Sequence, residues 1–220
     1  MHSSDTASGF ARAVDLVRAG GCLIYPTETL YALGGDGRSA QAAARVQELK
    51  ARPGDKPLPL ILGDLAMLPL VTAAAGDGLL RLARAFWPGP LSVLVPALPG
   101  LPAAVQDPRG LTSVRVTPHP LAARLSREAG CPLIATSANV SGQPAASRPG
   151  DLAPALVRAV DLVLDQEPWP AGGAPSTVVE LREQGGAARL AVLRRGAVPA
   201  AALEAAGFVL EGVGMQGEKS

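Results

Sequence analysis

Three cations lie close together between residues 50 and 56, where their charges could bind an anion. The segment reads KARPGDKP and contains Lys50, Arg52 and Lys56. Because Pro53 disfavours a helical conformation for Arg52, the preceding helix should end near Lys50, and Arg52 should lie in extended chain where it can converge with Lys50. Pro57 restrains the segment further. This pattern favours a triphosphate site. The alternative is a solvated helix end whose cations interact with the helix dipole.

A second polar segment, TSANVSG at residues 136–142, follows an apolar run. In extended chain, Ser137 and Asn139 lie on the same face. A hydroxyl and an amide together offer hydrogen-bond donors and acceptors to a nucleotide. An Asx or Ser/Thr turn explains the same residues without a ligand, so both interpretations stay open at this point.

Small polar side chains also follow the first predicted strand, in the segment YPTETLY. Thr27, Glu28 and Thr29 would project at the carboxyl end of that strand, a usual location for ligand sites in α/β proteins. A hydroxyl-rich turn is the alternative. Three other polar residues carry little information by themselves: Arg115, Ser176 and Arg194.

Several common kinds of site are not supported by the residues. Cys22 and Cys131 lie far apart in apolar runs, which favours buried thiols in a reducing compartment over a disulfide or a zinc site. The histidines are His2, near the start of the chain, and His119, between two prolines, where a general base is awkwardly placed. No phosphate loop or kinase signature is present. We therefore expect no bound metal site in the protein, and any ATP must be held by scattered polar groups.

Strand and helix patterns alternate along the chain and predict an α/β fold. Helices are expected after Ser8, at Ser39–Lys50 and near 64–70, 77–86, 119–129 and 151–157, with a last one starting at Pro199. Strands are expected at 22–25, 58–62, 91–96, 112–116 and 132–136. Three more follow in close succession, VDLVLD, STVVEL and RLAVLR. Consecutive late strands favour a mixed, mostly open, twisted sheet with helices packed on it over a purely parallel sheet.

Length and composition fit one domain over residues 1–206, with a glycine-containing tail at 207–220. The chain has 220 residues, 48% of them hydrophobic, and a formal net charge of +1. The near-neutral charge and the aromatic content of 3% argue against a broad nucleic-acid-binding surface. No apolar stretch approaches the roughly 18 residues of a membrane span. We expect a soluble, cytoplasmic protein without membrane contact.

Taken together and in order, the polar segments closely resemble the YrdC-type threonylcarbamoyl-AMP synthase family in its short, single-domain form. The matching strings are YPTETLYALGG, KARPGDKPLPLIL, FWPGPLSVLVP, TSVRVTPHP, PLIATSANVSGQP, STVVEL and LRRGAV. They span residues 20–198. The chain departs from the usual family pattern at Ala32, where a glycine is expected, at Ser92, which replaces a threonine but keeps the hydroxyl, and at Pro118, which is shifted by one position.

The resemblance implies a YrdC-like sheet with a basic concave cleft and assigns roles to individual residues. The family's Lys-x-Arg and Ser-x-Asn elements fall on Lys50, Arg52, Ser137 and Asn139, which would be the catalytic residues. Lys56, Ser141 and Arg194 would contact ATP. Threonine would be held by Thr27, Thr29, Arg115 and Ser176, with Arg115 pairing its carboxylate bidentately.

The resemblance also implies the reaction and its partners. L-threonine, bicarbonate or CO2, and ATP would yield threonylcarbamoyl-AMP and pyrophosphate, with Mg²⁺ bound through the ATP phosphates. A tRNA threonylcarbamoyl-transferase complex would accept the product and modify A37 of tRNA. Two alternatives stay open: a non-catalytic module that binds double-stranded RNA or tRNA, which would include weak direct RNA binding, and a paralogue with a different acceptor.

Overall fold

Helices and strands interleave along the chain, as the sequence predicts. The computed structural model describes residues 3–51, 56–140, 142–184 and 187–211. Within these ranges the α-helices are α1 (Ser3–Arg18), α2 (Ala40–Leu49), α3 (Asp77–Phe86), α4 (Pro120–Ala129), α5 (Pro154–Ala159) and α6 (Ala200–Ala205). Short 3-10 helices lie at Leu65–Leu70, Ala103–Val105 and Pro149–Asp151.

The strands form two hydrogen-bonded sheets of mixed direction. In chain order they are β1 (Leu23–Pro26), β2 (Tyr31–Gly34), β3 (Leu60–Leu62), β4 (Leu91–Pro96), β5 (Leu111–Val116), β6 (Leu133–Ile134), β7 (Thr136–Ser137), β8 (Leu162–Val163), β9 (Thr177–Gln184), β10 (Ala187–Arg194) and β11 (Val209–Leu210). The small sheet has the order β7-β2-β1-β8, and the large sheet has the order β11-β10-β9-β4-β5-β3-β6. The predicted mixed α/β architecture is confirmed.

The two sheets meet where the chain passes from β6 to β7. Only Ala135 separates these strands, which belong to different sheets. Gly34, at the end of β2, approaches β6 so closely that an added Cβ would lie 1.7 Å from the carbonyl oxygen of Ile134. A glycine is therefore required at this junction, since any side chain would overlap the neighbouring backbone.

Local sequence explains where several helices begin and end. The Ser39 hydroxyl caps α2 by accepting a hydrogen bond from the Ala42 amide, and Lys50 is the C-cap. Pro120 opens α4, which ends at Gly130 in the left-handed conformation that glycine adopts readily. The predicted end of α2 near Lys50 is thus confirmed, and it places this lysine beside the loop after β7.

Some boundaries differ from the sequence prediction. Helix α1 begins at Ser3, so Ser8 lies inside the helix and is not its N-cap. Strand β2 is absent from the strands predicted from the sequence. Its four residues are all buried, so they lack the alternation of polar and apolar residues that marks a half-exposed strand. The helix predicted near 64–70 is the 3-10 helix Leu65–Leu70, and the helix predicted near 151–157 runs from Pro154 to Ala159.

The chain also continues in the large sheet beyond residue 206. Phe208 is buried, and β11 pairs in parallel with β10. Residues 212–220 of the predicted tail lie outside the described residues. None of the helices in the described ranges has the length and apolar character needed to cross a membrane.

Candidate active site

A cavity of about 730 Å³ lies between the two sheets and collects residues from both. Strands β2 and β7 supply one wall, and β4, β5, β9 and β10 supply the other. A volume of this size is within the range of small-molecule sites. Six residues predicted from the sequence to bind substrates line it: Thr27, Thr29, Arg115, Ser137, Ser176 and Arg194.

Lys50 lies behind this cavity, with its ammonium bound to the loop that follows β7. The side chain is buried, and Nζ donates to the carbonyl oxygens of Ser137 at 2.7 Å and Asn139 at 2.8 Å, and to Asn139 Oδ1 at 2.7 Å. The Ser137 hydroxyl lies 3.4 Å from Nζ as well, so the ammonium faces several oxygens of this loop. The sequence predicted that Lys50 binds phosphate; in this structure, its contacts hold the Ser137–Asn139 loop.

Ser137 and Asn139 are brought together as their spacing predicts, although they bond to each other. The Ser137 hydroxyl donates to Asn139 Oδ1 at 2.6 Å, and Asn139 Nδ2 donates to the carbonyl oxygen of Gln143. Ser137 lines the cavity. The turn interpretation and the site interpretation therefore both apply, because the side chains shape a loop that borders the cavity.

Arg115 extends from β5 into the cavity and is held by a buried ion pair. Its Nε donates to Glu28 Oε1 at 2.8 Å, and the Thr117 hydroxyl donates to Glu28 Oε2 at 2.7 Å. Burial by itself raises the pKa of Glu28, but the charge of Arg115 and hydrogen bonds from Thr117, the Glu28 amide and Arg115 outweigh it and hold the pKa below its ordinary value. Glu28 is therefore a carboxylate at neutral pH.

His119 lies next to this group. Its Nε2 is 2.8 Å from the carbonyl oxygen of Pro168, and its backbone amide donates to the Thr117 hydroxyl at 3.2 Å. The buried Nδ1 has no hydrogen-bond partner among the described residues. Burial is the largest influence and lowers the pKa of His119, against the hydrogen bond to Pro168 and the charge of Glu28. The ring is thus favoured in its neutral form, with Nε2 as the donor.

Arg194 lines the cavity from β10, at a bulge near the end of this strand. The register shift between Val192 and Arg194 redirects the side chain at the end of the strand. One terminal nitrogen of Arg194, Nη2, donates to the Ser176 carbonyl oxygen at 2.7 Å and to its hydroxyl at 3.0 Å. The hydroxyls of Ser176 and Ser92 are 3.1 Å apart. Since Arg194 donates to Ser176, Ser176 can donate in turn to Ser92.

The loop between β1 and β2 supplies the two threonines. The buried Thr27 hydroxyl donates to the carbonyl oxygen of Leu30 at 2.7 Å, which leaves its oxygen able to accept. Thr29 is half-buried, and its carbonyl oxygen accepts from the Gly172 amide at 2.9 Å. Ala32 fits in β2 without a positive φ, so the departure from glycine at this position causes no backbone strain.

The remaining predicted residues are less informative. Lys56 is exposed, and the following Pro57 and Pro59 line the cavity, so this part of the cationic segment borders the site. Arg52 and Ser141 lie outside the described residues. Among the residues that the structure describes, no three acidic, histidine or cysteine side chains cluster as metal ligands would. Binding of Mg²⁺ through ATP phosphates stays a prediction.

Sequence reasoning missed three polar residues of the cavity, Asp107, Arg109 and Ser113. Arg109 is paired with Asp107 at 2.9 Å and with Glu180 at 3.0 Å. The Ser113 hydroxyl has no partner within the described ranges. A lone arginine in a Pro/Gly-rich turn and a serine in a strand give no signal in one sequence, because both are common at surfaces.

A family model and individual relatives place this chain in the same protein family. A model for the Sua5, YciO and YrdC proteins, described as telomere recombination, matches residues 15–196. A threonylcarbamoyl-AMP synthase of Stenotrophomonas maltophilia is 40% identical over 70% of this chain and 84% of the relative. A putative threonylcarbamoyl-AMP synthase of Mycobacterium leprae is 36% identical over 89% of this chain and 86% of the relative.

Solved structures agree with the sequence comparisons. The crystal structure of P. abyssi Sua5 complexed with L-threonine has a TM-score of 0.81 and 26% identity over 92% of this chain. This chain spans 58% of that protein. E. coli YciO has a TM-score of 0.73 and 26% identity, with 88% and 91% of the two chains covered. The chain belongs to the Sua5/YciO/YrdC family.

Proposed function

We propose that the protein is an L-threonylcarbamoyladenylate synthase, which converts L-threonine, bicarbonate or CO2, and ATP into threonylcarbamoyl-AMP and pyrophosphate. One observation carries this proposal: a single cavity brings two arginines, Arg115 and Arg194, together with Ser176 and the Ser137 loop. The relatives named threonylcarbamoyl-AMP synthase support it. So does the neighbouring Sua5 structure, which was solved with L-threonine.

The chemistry needs no nucleophile from the protein. The threonine amine adds to CO2 and loses a proton, or reacts with bicarbonate and releases water, to form a carbamate. A carbamate oxygen attacks the α-phosphorus of ATP, and the bond from that phosphorus to the bridging oxygen breaks to release pyrophosphate. The protein's task is to align the reactants and to neutralise phosphate charge, and alignment alone can lower a barrier by about 7–11 kcal/mol.

The cavity offers a consistent division of roles for threonine. Beyond its contact with Glu28, Arg115 makes no hydrogen bond from its two terminal nitrogens to any described residue. These nitrogens suit the threonine carboxylate in a bidentate pair. Ser176, Thr27 and Thr29 line the same cavity and would bind the hydroxyl and the amine.

ATP would bind on the side of the cavity formed by the Ser137 loop and the cationic segment. Ser137, Asn139 and Ser141 would contact the nucleotide, and Arg52, Lys56 and Arg194 would contact the phosphates. Lys50 takes a supporting role in this assignment, because its ammonium holds the loop that carries Ser137 and Asn139. Mg²⁺ bound through the phosphates would neutralise charge as pyrophosphate leaves.

The product is a mixed anhydride that is unstable in water, so an acceptor must be close at hand. We propose that a tRNA threonylcarbamoyl-transferase complex consumes it in the cytoplasm, where tRNA is modified at A37. The alternative, an RNA-binding module without catalysis, would bind RNA with steep salt dependence and would leave ATP intact.

Pyrophosphate release tests the proposal directly. Purified protein is supplied with Mg-ATP, L-threonine and bicarbonate, and each substrate is omitted in turn. We expect pyrophosphate release and a threonylcarbamoyl-AMP mass only in the complete mixture. Arg115→Ala should abolish the product, whereas Arg124→Ala, at an exposed arginine of α4, serves as the control. Pyrophosphate release that does not depend on threonine would refute the assignment.

A further inference from the structure

Glu28 is the acidic member of the YPTETLY segment; it lies between Thr27 and Thr29, which line the cavity, and its own position is tightly constrained. Its side chain is 12% exposed, and both carboxylate oxygens accept short hydrogen bonds, one from Arg115 Nε and one from the Thr117 hydroxyl. Its backbone carbonyl oxygen accepts from the Ala171 amide at 3.2 Å. Glu28 is therefore fixed from three directions.

These contacts determine which edge of the Arg115 guanidinium faces the cavity. An arginine side chain has large rotamer freedom, about 2 kcal/mol when it is unrestrained. Because Glu28 binds Nε, the guanidinium is anchored along one edge and its terminal nitrogens remain on the other. A planar fork held in one orientation loses less entropy when it binds a carboxylate.

The geometry argues against a role for Glu28 as a general base. A base must reach a substrate proton, but Glu28 is not among the residues that line the cavity, and each of its oxygens already accepts a hydrogen bond. Its pKa lies below the ordinary value, which makes it a weaker base than a free glutamate. The carboxylate is instead suited to holding a cation in place.

We propose that Glu28 is a positioning residue that sets the affinity for L-threonine by orienting Arg115, with Thr117 as its support. This inference rests on the proposed function, since it deepens the role of the threonine site. Glu28 is the charged residue of the YPTETLY segment, and the substrate-binding roles assigned above do not include it.

The experiment compares variants with graded loss of this contact. Glu28→Gln keeps the shape but removes the charge, and Glu128→Gln is the matched control. Thr117→Val removes the donor to Oε2 together with the acceptor of the His119 amide. Glu128 accepts from Arg124 Nε at 2.7 Å in an exposed pair of the same geometry on α4. Steady-state pyrophosphate release gives kcat and separate KM values for threonine and ATP, and thermal melting checks the fold.

We expect Glu28→Gln to raise the KM for threonine about tenfold, the effect of losing one charge-assisted contact, with kcat and the KM for ATP within about twofold. Thr117→Val should raise the KM for threonine by about threefold, and Glu128→Gln should leave it unchanged. Calorimetric titration of threonine should show the same order of affinities without turnover.

Two results would overturn the inference in different ways. If the wild type releases pyrophosphate but Glu28→Gln keeps a normal KM for threonine, or loses kcat instead, the positioning role is wrong and the proposed function stands. If the wild type neither binds threonine nor releases pyrophosphate, the proposed function fails, and the inference fails with it.

Discussion

Two of the arginines that line the cavity, Arg115 and Arg109, are paired with carboxylates, yet their surroundings differ. The Arg115 side chain is 6% exposed and its partner Glu28 is 12% exposed, whereas the Arg109 side chain is 52% exposed. Arg109 shares its contacts between Asp107 and Glu180, at the rim of the cavity. The carboxylates are covered to a similar degree, with Asp107 15% and Glu180 12% exposed, so the two pairs differ in the exposure of the arginine.

This difference indicates which ion pair contributes more to the free energy of unfolding. Solvent screens an exposed ion pair, which typically contributes 0–1 kcal/mol. Removal of one partner from a buried pair leaves an uncompensated charge and costs about 3–5 kcal/mol. The buried pair can therefore fix the orientation of a side chain, while the exposed pair only biases it. For this reason we assign threonine binding to Arg115 and not to Arg109.

Substitution of the two arginines should give the largest contrast. Arg115→Ala leaves Glu28 buried without its cation, so we expect the free energy of unfolding at neutral pH to fall by about 3–5 kcal/mol. Arg109→Ala should change it by less than about 1 kcal/mol. Urea denaturation without ligands measures both. Equal losses in the two variants would contradict the distinction between a buried and an exposed pair.

Lys50 extends the comparison to a buried cation held by neutral oxygens. Lys50→Met removes the donor to two carbonyl oxygens and Asn139 Oδ1, so the free energy of unfolding should fall by about 1–3 kcal/mol. Turnover should be lost with it, because the Ser137 loop is no longer held. Lys56→Met, at an exposed lysine, is the control for stability. A stable Lys50→Met variant with normal activity would show that the loop does not need the ammonium.

A change of pH should alter the free energy of unfolding through His119, which lies beside the buried pair of Glu28 and Arg115. Burial lowers the pKa of His119 in the folded state, so the unfolded chain binds the proton more readily. The stabilising effect is complete above the ordinary histidine value of about 6.5 and is lost as the pH falls below it. The limit for one proton is about 1.4 kcal/mol per pH unit.

Urea denaturation between pH 8 and pH 5 measures this loss. The His119→Gln variant keeps a donor toward the Pro168 carbonyl oxygen and cannot titrate, so its stability should depend less on pH over this range. Identical pH profiles for wild type and variant would exclude His119 as the source. Glu28 adds little loss over this range, because the effect of its lowered pKa is lost only as the pH falls below the ordinary glutamate value of about 4.3, where the unfolded chain begins to bind the proton.

The smallest effect should come from Thr112, on the same strand as Arg115. Its hydroxyl is buried and has no partner in the part of the chain that the structure describes. Thr112→Val replaces the hydroxyl with a methyl of similar size, so we expect the free energy of unfolding to rise by about 1 kcal/mol. Thermal melting of Thr112→Val and of Thr117→Val compares a hydroxyl without a described partner with the Thr117 hydroxyl, which donates to Glu28. A destabilised Thr112→Val would mean that the hydroxyl has a partner.

Elements with a strong local pattern could be predicted from the sequence. Strand β4 and helix α3 have the predicted bounds, because a β-branched apolar run and an amphipathic repeat specify them within a few residues. Strand β2 has no such pattern, since it is buried on both faces between polar and glycine-rich segments. The family motifs gave the site residues that line the cavity, but not what each side chain contacts.

The contacts depend on residues that are distant in sequence. Arg115 and Glu28 are 87 positions apart, as are Lys50 and Ser137. Spacing within a segment cannot show whether an ammonium points to a phosphate or to a carbonyl of another strand. The contact between Glu28 and Arg115 could not be predicted for the same reason, because it forms only when β5 packs beside the β1–β2 loop.

The close approach of Gly34 to Ile134 has a consequence for the width of the cleft. Thr27 and Ser137 belong to one wall, and Arg115 and Ser176 belong to the other. The walls are joined where Gly34 contacts the backbone of Ile134. A methyl group on residue 34 would overlap that backbone and force the two walls apart. The smallest residue in the chain thus sets the span across which threonine and ATP have to meet.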